Sequence, residues 1–256
     1  MHRLAIYQLK GGVGKTTTAV NLAALAARDG WPTLLWDLDP QGAAGHILGA
    51  QASDLKIKKM LSGEQPVGRL VEATRWRHLD VLPSARKLRN ADLHLGSEKA
   101  DARWLKQLLD RFSESYQLIV IDCPPALGGL ATSIMRATDM LLLPADAGAL
   151  ARRAVEQVEE HLRELEIRKP VLRTFLNRVD RRRSLHREMA DAPANYLPWA
   201  SPVSVPASAM IERMGTECAP LCEFTRDTHP AARAFAALWQ DTREQLEKNS
   251  RSSKER

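Results

Sequence analysis

The sequence predicts an α/β fold: one domain built on a mostly parallel, twisted sheet with helices on both faces. Three observations carry this. Short apolar runs alternate with longer helical patterns along the chain. Several of those runs are apolar without alternation, as strands buried on both faces require. The first run leads directly into a glycine-rich stretch and then a helical pattern, a strand–loop–helix order.

Strands are expected at Leu4–Leu9, Thr33–Leu38, Leu79–Leu82, Leu118–Asp122, Met140–Pro144 and Val171–Leu176. Helical periodicity runs over Lys15–Arg28, Ala100–Phe112, Ala151–Glu166 and Pro230–Glu247. Residues 44–78 carry polar turns and short amphipathic pieces, read as small helices on one edge. There is no internal repeat and no interdomain linker. Residues 1–248 are expected to form one domain, with 249–256 a disordered polar tail.

At 256 residues, 44% hydrophobic and 27% charged, the chain has ordinary globular composition, which excludes wholesale disorder. A net charge of +6 favours a polyanionic partner. Three cysteines fit a reducing cytosol better than a disulfide scaffold. The opening apolar run is too short for a secretory leader, and no stretch approaches the roughly 20 apolar residues that span a bilayer. A soluble, cytoplasmic protein is expected. With no extension before the first strand, no separate helix-turn-helix domain is expected either.

The stretch LAIYQLKGGVGKTTTAV places a glycine loop between strand and helix. Backbone N–H groups of Gly11, Gly12, Val13 and Gly14, backed by a helix N-terminus, suit phosphate oxygens. Lys15 would neutralise the β- and γ-phosphates, and the Thr16 hydroxyl would ligate Mg²⁺. The generic pattern needs a glycine where Leu9 stands, so the string K-G-G-x-G-K-T-T, through Thr17, matches the deviant form of the loop. Downstream, LLWDLDPQG delivers Asp37 and Asp39 at a strand end, beside the phosphates in an open α/β sheet. LIVID ends in Asp122, placed as a Walker-B carboxylate for Mg²⁺.

These motifs together resemble the ParA/MinD superfamily of deviant Walker-A P-loop ATPases, closest to the ParA-type partition and positioning ATPases. The resemblance covers residues 3–48 and 113–180 firmly and the remainder thinly. It implies ATP and Mg²⁺ as cofactors and a homodimer in the ATP state. It makes Lys10 a positive finger supplied in trans to the partner's phosphates, the alternative being a lysine that merely caps the loop in solvent. It makes Asp39 the residue that orients the attacking water, with Asp37 as support near the metal. DCPPALGG resembles the second switch, in which Cys123 reads as a small buried residue rather than a cluster ligand. The amide of Asn177 matches a position that reads the adenine edge, and Pro206 one that packs against the base.

Partner surfaces follow. RVDRRRSLHREM gathers Arg178, Arg181, Arg182, Arg183 and Arg187, and a helix starting near Ser184 would put Arg183 and Arg187 on one face. Such a cluster suits non-specific, salt-sensitive DNA binding, or is a solvated surface. Arg213 alone remains where partition ATPases carry further arginines, which implies weaker DNA binding and, if it holds, nucleoid association. Phe235, Leu238, Trp239 and Leu246 form a stripe for docking on the protein's own core, so membrane binding is not expected. Cys218 and Cys222 read as packing residues. The leading reading is a slow, partner-stimulated ATPase that positions or segregates DNA or another cargo, stimulated by a ParB-like protein or cargo adaptor. The alternative is a metabolic ATP-dependent enzyme of the dethiobiotin synthetase or cobyrinic acid amidating type.

Overall fold

The structure is a computed structural model that describes residues 1–51, 67–85, 104–167 and 170–254. β1 (His2–Ile6) leads through the glycine loop into α1 (Lys15–Arg28), then β2 (Thr33–Asp37) and the short α2 (Ala43–Ile47). A two-residue β3 (Glu72–Ala73) precedes β4 (Leu79–Leu82), followed by α3 (Trp104–Asp110) and β5 (Leu118–Asp122). Then come α4 (Gly129–Ala137), β6 (Met140–Asp146), α5 (Ala151–Glu164), β7 (Val171–Val179), α6 (Ser184–Asp191) and β8 (Ala200–Pro206). Three one-turn helices, α7 (Ala209–Glu212), α8 (Met214–Glu217) and α9 (Leu221–Phe224), lead to the long α10 (Pro230–Lys254).

The eight strands run β3-β4-β2-β5-β1-β6-β7-β8, all parallel except the β3–β4 pair. The central strands are buried along their whole length because each face feeds a separate core. Leu34, Trp36, Ile119, Ile121, Leu141 and Leu143 pack on the face that carries α3, α4 and α5. Leu4, Ile6, Leu35, Val120, Leu142 and Phe175 pack on the face of α1 and α10. This double burial explains why the strand sequences do not alternate.

Six strands and three helices stand where the sequence places them, within a few residues at their ends. Two edge strands, the two-residue β3 and the seven-residue β8, were not expected; β8 contains two prolines, one of them the exposed Pro202, and these mask its strand character. The start of the helix expected at Ala100, and much of the 44–78 segment, lie outside the described residues. The last helix runs beyond Glu247 to Lys254, so residues 249–254 extend it where a disordered tail was expected. The reason is tertiary: Asn249 donates to the Asp139 carbonyl, and Ser250 lies 3.3 Å from the ring of His2. Upstream, Arg173 of β7 clasps Asp241 of α10 at 2.9 and 2.5 Å. Phe235, Leu238, Trp239 and Leu246 are all buried, as the stripe requires.

Candidate nucleotide site

Parallel strands deliver their C-terminal ends to one edge of the sheet, and every expected phosphate-site residue lies there. The register aligns Ile6 and Asp37 with Asp122, and Asp146 with Asn177. The loop after β1 turns through Gly12 (φ 74°) and Gly14 (φ 90°), both left-handed, before α1 begins at Lys15. Gly14 admits no side chain, since a Cβ there would lie 2.3 Å from the Asn177 amide nitrogen. A Cβ on Gly11 or Gly12 would meet nothing within 4 Å, so the loop opens onto free space on that side.

Beneath the loop, Lys15 is buried and its ammonium lies 3.4 Å from the Lys10 carbonyl. Burial pulls its pKa down, while the charges of Asp122 and Asp39 hold it up. Asp122 is fully buried, and neither carboxylate oxygen has a hydrogen-bond partner. Desolvation, and next the neighbouring Asp37 charge, push its pKa well up; the Thr16 hydroxyl and Lys15 draw it the other way. A buried carboxylate without a donor is costly unless a cation or proton completes it. Asp122 and Thr16 therefore fit a divalent cation.

Asp37 differs. Its Oδ1 accepts from the Asp39 N–H at 3.1 Å and its Oδ2 from the Gly45 N–H at 3.0 Å. Burial nevertheless raises its pKa to about 7 against the pull of those N–H groups. Its oxygens face its own loop, and through that loop it fixes Asp39. The Asp39 carbonyl accepts from the Ser84 hydroxyl at 2.6 Å, and its Oδ1 from the Gln41 N–H at 2.9 Å. Tyr7 tethers the loop after β5 by donating to the Ala126 carbonyl at 2.8 Å.

A cleft of about 500 Å³ runs from the loop past Thr16, Thr17, Asn177 and Pro206 to Ile211 and Gly215. The structure thus brings Asn177 and Pro206 together with the loop. The Asn177 amide nitrogen, however, is spent on the Val13 carbonyl at 2.7 Å. A second cleft of similar volume lies on the other side of the loop, bounded by Lys10, Val13, Asp146 and the start of α5. There Lys10 pairs with Asp146 at 2.9 Å, an acid that the sequence reading missed. Its signal was present, as the carboxylate ending the β6 run in PAD, but strand-end aspartates are common.

The arginines are less available than their number suggests. Arg181 pairs with Asp191 at 3.0 Å, Arg182 with Asp180 at 2.9 Å, and Arg213 with Glu217. The Arg182 pairing holds the Asp180 carboxyl down at about 2. α6 does begin at Ser184, and the Arg187 N–H donates to the Arg183 carbonyl, which places the two on adjacent turns of one face. Arg178 turns instead onto the glycine loop, donating to the Gly12 carbonyl at 3.0 Å. Among the described residues no cluster of three or more metal-binding side chains of the His, Cys, Asp and Glu types occurs, and no helix is long and apolar enough to cross a membrane.

The fold and this convergence of groups define a phosphate-loop nucleotide-binding domain. A family model described as an AAA domain matches residues 1–175. The chromosome partitioning protein ParA of Caulobacter vibrioides is 35% identical over 206 residues, covering 75% of this chain and 76% of that protein. ParA of Myxococcus xanthus is 37% identical over 157 residues, covering 60% of this chain and 56% of the relative. The chain therefore spans little more than half the length of that relative. A McdA variant of Cyanothece, in complex with ATP, has a TM-score of 0.79 at 23% identity, covering 94% of this chain and 95% of that one. Cobyrinic acid a,c-diamide synthase of Mycobacterium smegmatis, with ADP and magnesium, has a TM-score of 0.76 at 24% identity, covering 94% and 93%. The chain belongs to this AAA-domain family and, with the Caulobacter relative, to the ParA family.

Proposed function

We propose that this protein is a Mg²⁺-dependent ATPase that dimerises on ATP and, in that state, binds DNA non-specifically to position or segregate DNA or another cargo. The observation that carries the nucleotide assignment is the fully buried Asp122 carboxylate, partnerless beside Thr16 and Lys15 under the glycine loop. Thr16 and Asp122 would hold the magnesium ion, whose charge would neutralise the phosphate oxygens. Loop N–H groups and Lys15 bind the β- and γ-phosphates, Asn177 and Pro206 flank the base, and Asp39 orients the attacking water.

Dimerisation draws support from Lys10. Its side chain is 62% exposed and pairs with Asp146 beside the second cleft, whose rim carries Leu150 at 73% exposure. An exposed leucine beside an apolar cleft suits a protein partner, and in such a dimer Lys10 would exchange Asp146 for the partner's nucleotide. The relatives named as chromosome partitioning proteins support partition as the biology; a stimulating partner protein and slow basal turnover belong to the same proposal.

The metabolic alternative rests on likeness of fold alone, which the diamide synthase and McdA share equally. Identity of 35–37% to partition proteins favours the first reading. The test is Mg²⁺-dependent ATP hydrolysis, followed by binding of Asp39→Ala to non-specific duplex DNA with ATP and then ADP across a salt series. ATP-dependent, salt-sensitive binding is expected. Substrate-dependent ADP release by a pure monomer would refute the partition reading.

A further inference from the structure

Two successive side chains at the end of β7 seize two successive carbonyls of the glycine loop. Asn177 Nδ2 donates to the Val13 carbonyl at 2.7 Å, and Arg178 donates to the Gly12 carbonyl at 3.0 Å. Arg178 adopts a left-handed backbone (φ 56°), a conformation that a residue with a Cβ rarely takes. Its guanidinium also stands 4.0 Å from Asp146 Oδ1, an oxygen with no hydrogen-bond partner, while Asp146 Oδ2 accepts from Lys10. The charge of Asp146 thus steadies Arg178 from the β6 side.

The consequence follows from peptide geometry. In a trans peptide the carbonyl of one residue and the N–H of the next point in opposite directions across a rigid plane. Fixing the Gly12 carbonyl therefore fixes the Val13 N–H, and fixing the Val13 carbonyl fixes the Gly14 N–H, each directed away from β7. Those two N–H groups belong to the set that must converge on a phosphate. Gly12 and Gly14 flank these planes with left-handed backbones, so without the two side-chain bonds the planes would be free to turn, and a carbonyl turned into the cradle would repel an anion.

We propose that Arg178 is a positioning residue of the nucleotide site, holding the loop's N–H groups in their anion-binding orientation through the Gly12 carbonyl. This assigns it to the nucleotide rather than to DNA, and it rests on the ATP-binding reading above.

The test compares wild type, Arg178→Ala and Arg178→Lys by equilibrium titration with a fluorescent ATP analogue and Mg²⁺, by steady-state hydrolysis, and by thermal melting. Arg178→Ala should bind the analogue about fivefold more weakly, as expected for one lost hydrogen bond of ordinary strength. The loss should appear in KM and not in kcat, with the melting temperature of the nucleotide-free protein unchanged, because the side chain is 61% exposed. Arg178→Lys, which keeps a donor and the charge, should recover most of the affinity. If wild type binds and Arg178→Ala binds equally well, the proposal falls while the nucleotide reading stands. If Lys rescues nothing, the carbonyl-donor account is overturned. If wild type itself fails to bind, the nucleotide reading falls and takes the proposal with it.

Discussion

Asp122→Asn should stabilise the nucleotide-free protein while abolishing its response to Mg²⁺–ATP. Asp122 and Asp37 stand opposite each other in the β2–β5 ladder, both fully buried, and the Asp37 charge helps to raise the Asp122 pKa. For Asp37 the rise is from 3.8 to about 7, with burial as its main cause. Between those values the folded protein holds a proton that the unfolded chain releases, so stability falls as pH rises from about 4 to about 7. A rise of about three units corresponds to about 4 kcal/mol. Removing the Asp122 charge relieves both the orphaned carboxylate and its repulsion with Asp37, so Asp122→Asn should gain about 2–4 kcal/mol at pH 7.5. His2, whose pKa is lowered by burial, contributes with the opposite sign, its stability increasing as pH rises through 6.5. The discriminating quantity is therefore the difference between wild type and variant, measured by urea unfolding at pH 5.0, 6.0 and 7.5. That difference should widen with pH, and Mg²⁺–ATP should raise the stability of wild type alone. A variant equal to or less stable than wild type at pH 7.5 would refute the reasoning.

Gly14→Ala combines a left-handed backbone with a methyl group driven into Asn177, and should lose several kcal/mol together with nucleotide binding. Gly12→Ala meets open space and should lose only about 1–2 kcal/mol from its backbone, so equal damage in urea unfolding would contradict the geometry of the loop. Lys10→Ala breaks only an exposed ion pair with Asp146, so binding of a fluorescent ATP analogue should persist while hydrolysis is lost; normal turnover would remove the trans role. Arg183→Ala with Arg187→Ala should weaken ATP-state DNA binding and shrink its salt slope by about two, whereas an unchanged slope would leave the cluster a solvated surface.

The chain's linear order determined the central architecture. Unbroken apolar runs such as LIVID and MLLLPAD can be strands only where both faces are covered, and that dictates parallel pairing with helices above and below. Parallel pairing then puts every strand's C-terminal carboxylate, Asp37 and Asp122 included, at one edge beside the glycine loop. Local spacing also put Lys15 and Thr16 at the start of α1 behind the glycine loop, since a strand–loop–helix order is written within a few residues. The edge strands β3 and β8 lay beyond this logic, because a two-residue strand and a proline-bearing one carry no periodic signal. What only the tertiary structure decided are pairings across long sequence distance. Asp146 receives Lys10 from 136 residues away, Asn177 and Arg178 take the Val13 and Gly12 carbonyls, and Asn249 and Ser250 dock on the N-terminal end of the sheet. No local pattern encodes such contacts. They depend on which strands lie side by side, and that order is set by the packing of the two cores.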